Sequence, residues 1–189
     1  MSGEPCVLTL PGWTSSGTDH WQSQWERRFP AITRIAQRDW ETPDPREWLD
    51  TLERAVATAR PAPVLLLGHS LGALSIAHWA QHPVPHAVAA VLVAPADPDL
   101  PGAPAALHPF GPAPSGPLTI PALLIVSDND PYLPIGRARE LGHAWGAERV
   151  EVPGAGHLNT ASGHGAWPEG WALVRDFAAR LGLALPPWG

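Results

Sequence analysis

Three stretches of the chain, Val64-Leu65-Leu66-Leu67, residues 88–93 and residues 122–126, carry no polar side chain, and Val7-Leu8-Thr9-Leu10 is interrupted by one threonine. Such short, continuously apolar runs match strands covered on both faces, as in a parallel sheet. Residues 32–36 and 149–152 add two shorter strand-like segments. Between these runs the period changes. Trp21, Trp25 and Phe29 recur at i, i+4 and i+8, which puts three aromatic rings on one helical face, with Thr18 or Asp19 available as cap. Residues 44–59 have Asp44 at the N-cap, Pro45 at the first helical position and Trp48, Leu49, Leu52 and Val56 in helical register. Residues 71–81, 137–145 and 169–181 read as further helices. Strands alternating with helices predict an α/β fold, a three-layer αβα sandwich on a mostly parallel sheet of about six strands. No internal repeat is visible.

Residues 94–121 break the alternation with nine prolines, which remove the backbone donors that regular structure needs. A connection this long is either a solvated linker or the wall of a site.

The 189 residues suit one domain, 1–189, able to bury roughly 70% of its unfolded surface. All 12 basic residues are arginine. Lysine chemistry is thereby excluded, Schiff bases and Walker-type phosphate loops alike. A net charge of -6 argues against nucleic acid as partner, and no apolar run approaches the ~20 residues of a membrane span. One cysteine, Cys6, forbids an internal disulfide and a multi-cysteine zinc site, and fits a reducing compartment. The amino terminus shows no basic segment followed by an apolar one, so the expected location is cytoplasmic. Ten tryptophans are an excess, and those outside core spacing are candidates for an interface.

Gly68-His69-Ser70-Leu71-Gly72 matches G-x-S-x-G, the nucleophile elbow of α/β-hydrolases, and lies where that motif belongs, directly after an apolar strand and before a helix. Such a turn strains Ser70 and presents its hydroxyl at a helix N-terminus, where N–H groups favour developing negative charge. A serine needs a base, and the base needs an orienting carboxylate. His157 leaves the last strand through Gly154-Ala155-Gly156. Asp130 follows the long strand at 122–126 and sits in a D-x-x-hydrophobic-P setting ending at Pro134. It is preferred to Asp128, which reads as a turn residue or a hydrogen-bond acceptor behind the site. The oxyanion donors expected are the N–H groups of Leu71 and Trp13, with Gly12 permitting close approach.

The remaining histidines are weaker candidates. His69 is expected to pack beside the site. His78 and His82 stand one helical turn apart, but without the carboxylate a metal motif needs. His20, His86, His108 and His143 read as surface or interface residues, and His164 sits in a glycine-rich loop near the site. Asn159 occupies the place where a dinucleotide fingerprint from Gly154 needs its third glycine, so that reading is discarded.

The blocks Leu10-Pro11-Gly12-Trp13 with Ser16, His20-Trp21-Gln22 and Trp25-Glu26, Asp39-Trp40 with Pro43 and Trp48, residues 68–72 with His78-Trp79, residues 94–97, residues 127–132, Gly156-His157 with Asn159, Ser162-Gly163, and Trp167-Pro168 with Gly170 together resemble the small serine hydrolases related to retinoblastoma-binding protein 9, in their bacterial branch. The resemblance runs over nearly the whole chain. It implies a compact α/β-hydrolase fold without a cap domain, a triad of Ser70, Asp130 and His157, and no metal or cofactor. The expected activity is hydrolysis of a carboxylic ester, or of a thioester or small amide, on a small acyl substrate. The alternative is a catalytically idle hydrolase fold that binds proteins.

Overall fold

The computed structural model describes residues 5–84 and 87–189. Six strands form, β1 (Cys6–Leu10), β2 (Ile32–Arg34), β3 (Val64–His69), β4 (Ala87–Val93), β5 (Ala122–Ser127) and β6 (Glu148–Val152). They build one sheet in the order β2-β1-β3-β4-β5-β6, parallel at every pairing. The helices are α1 (Trp21–Arg28), α2 (Pro45–Thr58), α3 (Leu71–Trp79), α4 (Ile135–Trp145) and α5 (Pro168–Arg180).

Side-chain alternation along the strands divides the core in two. Val64 and Leu66 of β3 pack with Trp48, Leu52 and Val56 of α2, with α3, and with Leu141 and Trp145 of α4. Leu65 and Leu67 face the other way, onto Trp21 and Trp25 of α1 and Trp171 and Phe177 of α5. The continuous apolar runs thus serve two covered faces, and three layers follow. Among the described residues, no helix is long and apolar enough to cross a membrane.

The tryptophans in helical register fill the core. Trp21, Trp25, Trp48, Trp145 and Trp171 are fully buried, and Trp171 stacks on Phe29 at 4.4 Å and meets Trp25 edge-on at 5.0 Å. The cap of α2 is as expected: Asp44 accepts the Glu47 N–H at 2.9 Å ahead of Pro45. The cap of α1 is not. Thr18 and Asp19 form the corners of a turn closed by His20 N–H to Gly17 C=O, so His20 is the last extended residue and its ring nitrogen Nδ1 accepts the Gln22 N–H at 3.2 Å.

Residues 94–121 contain one 3₁₀ helix, Ala105–Phe110, in place of a cap domain. Proline removes donors but leaves carbonyls, and neighbouring side chains satisfy these. His78 Nε2–H donates to Phe110 C=O at 2.7 Å and Trp145 Nε1–H to Pro114 C=O at 2.8 Å. Arg137 reaches both Asp97 and Asp99 at 3.2 Å. The segment is therefore fastened to α3 and α4, and its Pro104 and Leu107 reach the cavity described next. It is a wall of the candidate site.

Candidate active site

The end of β3 runs through Ser70 into α3 with φ 54° and ψ −122° at the serine, a backbone state costing about 1–3 kcal/mol that surrounding structure must impose. The constraint is visible around it. Ser70 N–H is tied to Val93 C=O at 3.0 Å, and a Cβ on Gly72 would lie 2.0 Å from Leu10 C=O, so β1 and the elbow meet at a distance that only glycine allows. Ser70 opens onto a cavity of about 240 Å³ whose wall includes Gly12, Trp13, Tyr132 and His157.

Four successive residues, from the last of β5 onward, fasten the loop after β6. Ser127 Oγ accepts the Ala155 N–H at 2.9 Å, Asp128 Oδ1 the Gly154 N–H at 2.7 Å and Asn129 Oδ1 the Gly156 N–H at 2.7 Å. The fourth, Asp130, has both carboxylate oxygens 2.9 Å from His157 Nδ1. Asp130 Oδ1 also accepts the Tyr132 N–H at 2.8 Å. The pair is buried, with side-chain exposures of 8% for His157 and 1% for Asp130, and Tyr132 covers the imidazole edge-on at 4.6 Å. A carboxylate at Nδ1 places the neutral ring's proton there and leaves Nε2 as the basic nitrogen. Among the described hydrogen bonds none joins Ser70 Oγ to Nε2. Such bonds are commonly long before substrate closes them.

The turn after β1 packs against the elbow. A Cβ on Gly12 would stand 3.2 Å from Leu71 N, so the turn after β1 lies directly against the start of α3. Trp13 is fixed from outside, its Nε1–H donating to Glu41 C=O at 2.9 Å and the next residue, Thr14, donating through its N–H to Trp40 C=O at 3.0 Å. Beneath this turn lies Gln22, fully buried, which sequence reasoning passed over except as part of a family block. Its Nε2 donates to Leu10 C=O at 3.2 Å and Leu67 C=O at 3.1 Å, and its Oε1 accepts from Ser16 Oγ at 2.7 Å. One side chain joins the ends of β1 and β3 to the loop between β1 and α1. A polar residue inside the aromatic stripe of α1 was the available signal.

The histidines sort differently from their sequence reading. His20, expected at the surface, is 6% exposed and lines the cavity, because capping α1 with its Nδ1 turns the ring inward. Its ring meets His69 at 4.7 Å, and His69 meets His157 at 4.9 Å. Burial first, with Arg34 and the His157 ring nearby, pushes the His20 pKa down to about 3. Burial also holds His69 well below the ordinary imidazole range, next to His20 and His157. His69 packs beside the site as expected, its Nε2–H donating to the His157 carbonyl at 2.9 Å. His78 is engaged with Phe110 C=O, and among the described residues no cluster suits a metal ion. His143 is exposed and His108 bonds Ala103 C=O. His164 pairs with Ser162 Oγ and leans on Trp167, and His86 lies outside the described residues.

Comparison with known proteins agrees with the resemblance read from the sequence. The family model described as serine hydrolase matches residues 7–176. A YdeN-like hydrolase from Pectobacterium atrosepticum is 35% identical, with 94% of this chain and 92% of that one covered and a TM-score of 0.84. The ydeN gene product of B. subtilis shares the fold at 22% identity and TM-score 0.77, covering 94% of this chain and all of its own. Est1E of Butyrivibrio proteoclasticus, solved with ferulic acid bound, shares it at 15% identity and TM-score 0.73, with 96% and 90% covered. Among curated proteins nothing matches.

Proposed function

The chain belongs to the serine hydrolase family, and from that premise we propose that it cleaves a carboxylic ester through an acyl-enzyme on Ser70, working as one domain on a small acyl substrate in the cytoplasm. The observation that carries this reading is the buried Asp130–His157 pair, both carboxylate oxygens 2.9 Å from Nδ1, beside the cavity onto which Ser70 opens. Ser70 Oγ attacks the acyl carbon while His157 Nε2 takes its proton. The carbonyl oxygen, now negative, lies against the N–H groups of Leu71 and Trp13. Collapse of the tetrahedral intermediate breaks the bond to the alcohol oxygen, which leaves with the proton from His157. Water then attacks the acyl carbon, again giving its proton to His157, and the acid departs as Ser70 regains the proton. Asp130 remains a carboxylate throughout and steadies the imidazolium.

Base catalysis of this kind contributes typically 10²–10⁴-fold, and each oxyanion donor about 3 kcal/mol. Thioesters and small amides would follow the same route. Est1E binds ferulic acid, which supports an acyl substrate for this fold. Hydrolysis of p-nitrophenyl butyrate tests the proposal: the wild-type protein is expected to turn it over and Ser70→Ala to lose that turnover while staying folded. Equal rates for the two would overturn it.

A further inference from the structure

We propose that the substrate's acyl group is uncharged and carries a hydrogen-bond acceptor, and that Asn159 selects it. This inference rests on the hydrolase reading above.

Among the described residues that wall the cavity there is no aspartate, glutamate or arginine. The one carboxylate behind the wall, Asp130, is 1% exposed and occupied by His157, and His20 and His69 are held neutral by burial. A charged acyl group would therefore enter without a partner, and an unpaired buried charge is costly. An ammonium finds no carboxylate here, and a carboxylate finds no guanidinium.

What the wall offers is neutral donors. Asn159 lines the cavity and caps the 3₁₀ helix Thr160–Ser162, its Oδ1 accepting the Ser162 N–H at 3.1 Å. That bond fixes the carboxamide, since only the oxygen can accept from an N–H, and it leaves the NH₂ end as the unengaged one. The His20 ring in the same wall adds no charge: its Nδ1 accepts the Gln22 N–H, and its Nε2 is a fully buried atom. Thus the same wall that lacks charge presents the Asn159 NH₂ to a neutral acyl group.

The test uses four p-nitrophenyl esters of similar acyl size: butyrate, methoxyacetate with an ether oxygen in place of a methylene, 3-aminopropionate with an ammonium in place of the methyl, and malonate with a carboxylate in place of the ethyl group. Each kcat/KM is divided by the ester's own hydroxide-catalysed rate. Wild type is expected to favour methoxyacetate over butyrate by about 3–10-fold, the worth of one neutral hydrogen bond, and to disfavour both charged esters by at least about 10-fold. Asn159→Asp keeps the capping oxygen but replaces the donors with a negative acceptor. It should erase the methoxyacetate preference and raise 3-aminopropionate relative to butyrate by at least about 10-fold. Asn159→Ser also keeps a capping oxygen, and should erase the preference without the gain for the ammonium ester. Ratios within one variant cancel any general loss from a disturbed His157. Butyrate cleavage with charged esters processed equally well, or with ratios unchanged by both variants, overturns this proposal and leaves the hydrolase reading intact. Absence of cleavage for every ester, joined to equal inactivity of Ser70→Ala, overturns both.

Discussion

A Cβ placed on Gly12 would lie 2.7 Å from the Cβ of Ser70, closer than two carbon atoms in different residues can approach. The turn after β1 and the nucleophile elbow are in contact through the missing side chain of one glycine.

Gly12→Ala must therefore separate the two. On the proposed mechanism this moves the Trp13 N–H away from the oxyanion, and loss of one such donor is expected to lower kcat about 10²–10³-fold. Steady-state kinetics on a variant whose circular dichroism matches wild type would check it. A loss below tenfold would mean that the turn supplies no donor.

Asp130 and Asp128 separate by role. Asp130→Asn leaves its one oxygen to the Tyr132 N–H and turns an NH₂ towards His157 Nδ1, which forces the wrong tautomer, with an expected loss of about 10⁴-fold in kcat. Asp128 accepts only the Gly154 N–H, and Asp128→Asn keeps a carbonyl oxygen for that bond, so a loss of at most about tenfold is expected. Parallel ester kinetics on the two variants decide the assignment, and a larger effect at Asp128 would reverse it.

Gln22→Met removes the donors to Leu10 C=O and Leu67 C=O and the acceptor for Ser16 Oγ. Buried groups left without partners typically cost 1–3 kcal/mol apiece and three are affected, so urea unfolding should show a destabilisation of at least about 3 kcal/mol. Activity should fall further than stability alone accounts for, because both strand ends that carry the site lose their common tie.

The buried His20 couples stability to pH. Its folded pKa of about 3 lies below the unfolded value of 6.5, so as pH falls the unfolded chain takes up a proton that the folded chain refuses. The stabilisation is complete above about pH 6.5 and is lost as pH falls towards the folded value of about 3. The downward shift at His69 acts in the same direction. His20→Asn keeps a capping oxygen without the titration. The difference in unfolding free energy between pH 7.5 and 4.5 should shrink in this variant, and an unchanged difference would contradict the assignment.

What the sequence made legible follows from which interactions are local. The apolar runs and the helical periods placed all six strands and five helices within a few residues, since burial on both faces of a sheet leaves no alternative pattern for Leu65 and Leu66. The elbow was legible because G-x-S-x-G needs only its neighbours. Asp130 and His157 were found through loop chemistry and family blocks, and they meet across the 27 positions that separate them. His20, Gln22 and Asn159 were misplaced or passed over for one reason: each owes its position to partners far along the chain or to a cap whose geometry depends on how the preceding turn closes. Thr18 and Asp19 had better capping side chains than His20, but the turn to Gly17 put them outside the helix. The proline segment was undecided until the donors of His78, Trp145 and Arg137 showed what holds it.

The most direct test is intact-protein mass spectrometry after treatment with a fluorophosphonate probe, followed by peptide mapping. A single adduct on Ser70 in the wild-type protein, strongly slowed in His157→Ala and missing from folded Ser70→Ala, is the predicted result. A folded wild-type protein that stays unlabelled, or a Ser70→Ala variant that labels as wild type does, would contradict the assignment of Ser70 as the activated nucleophile.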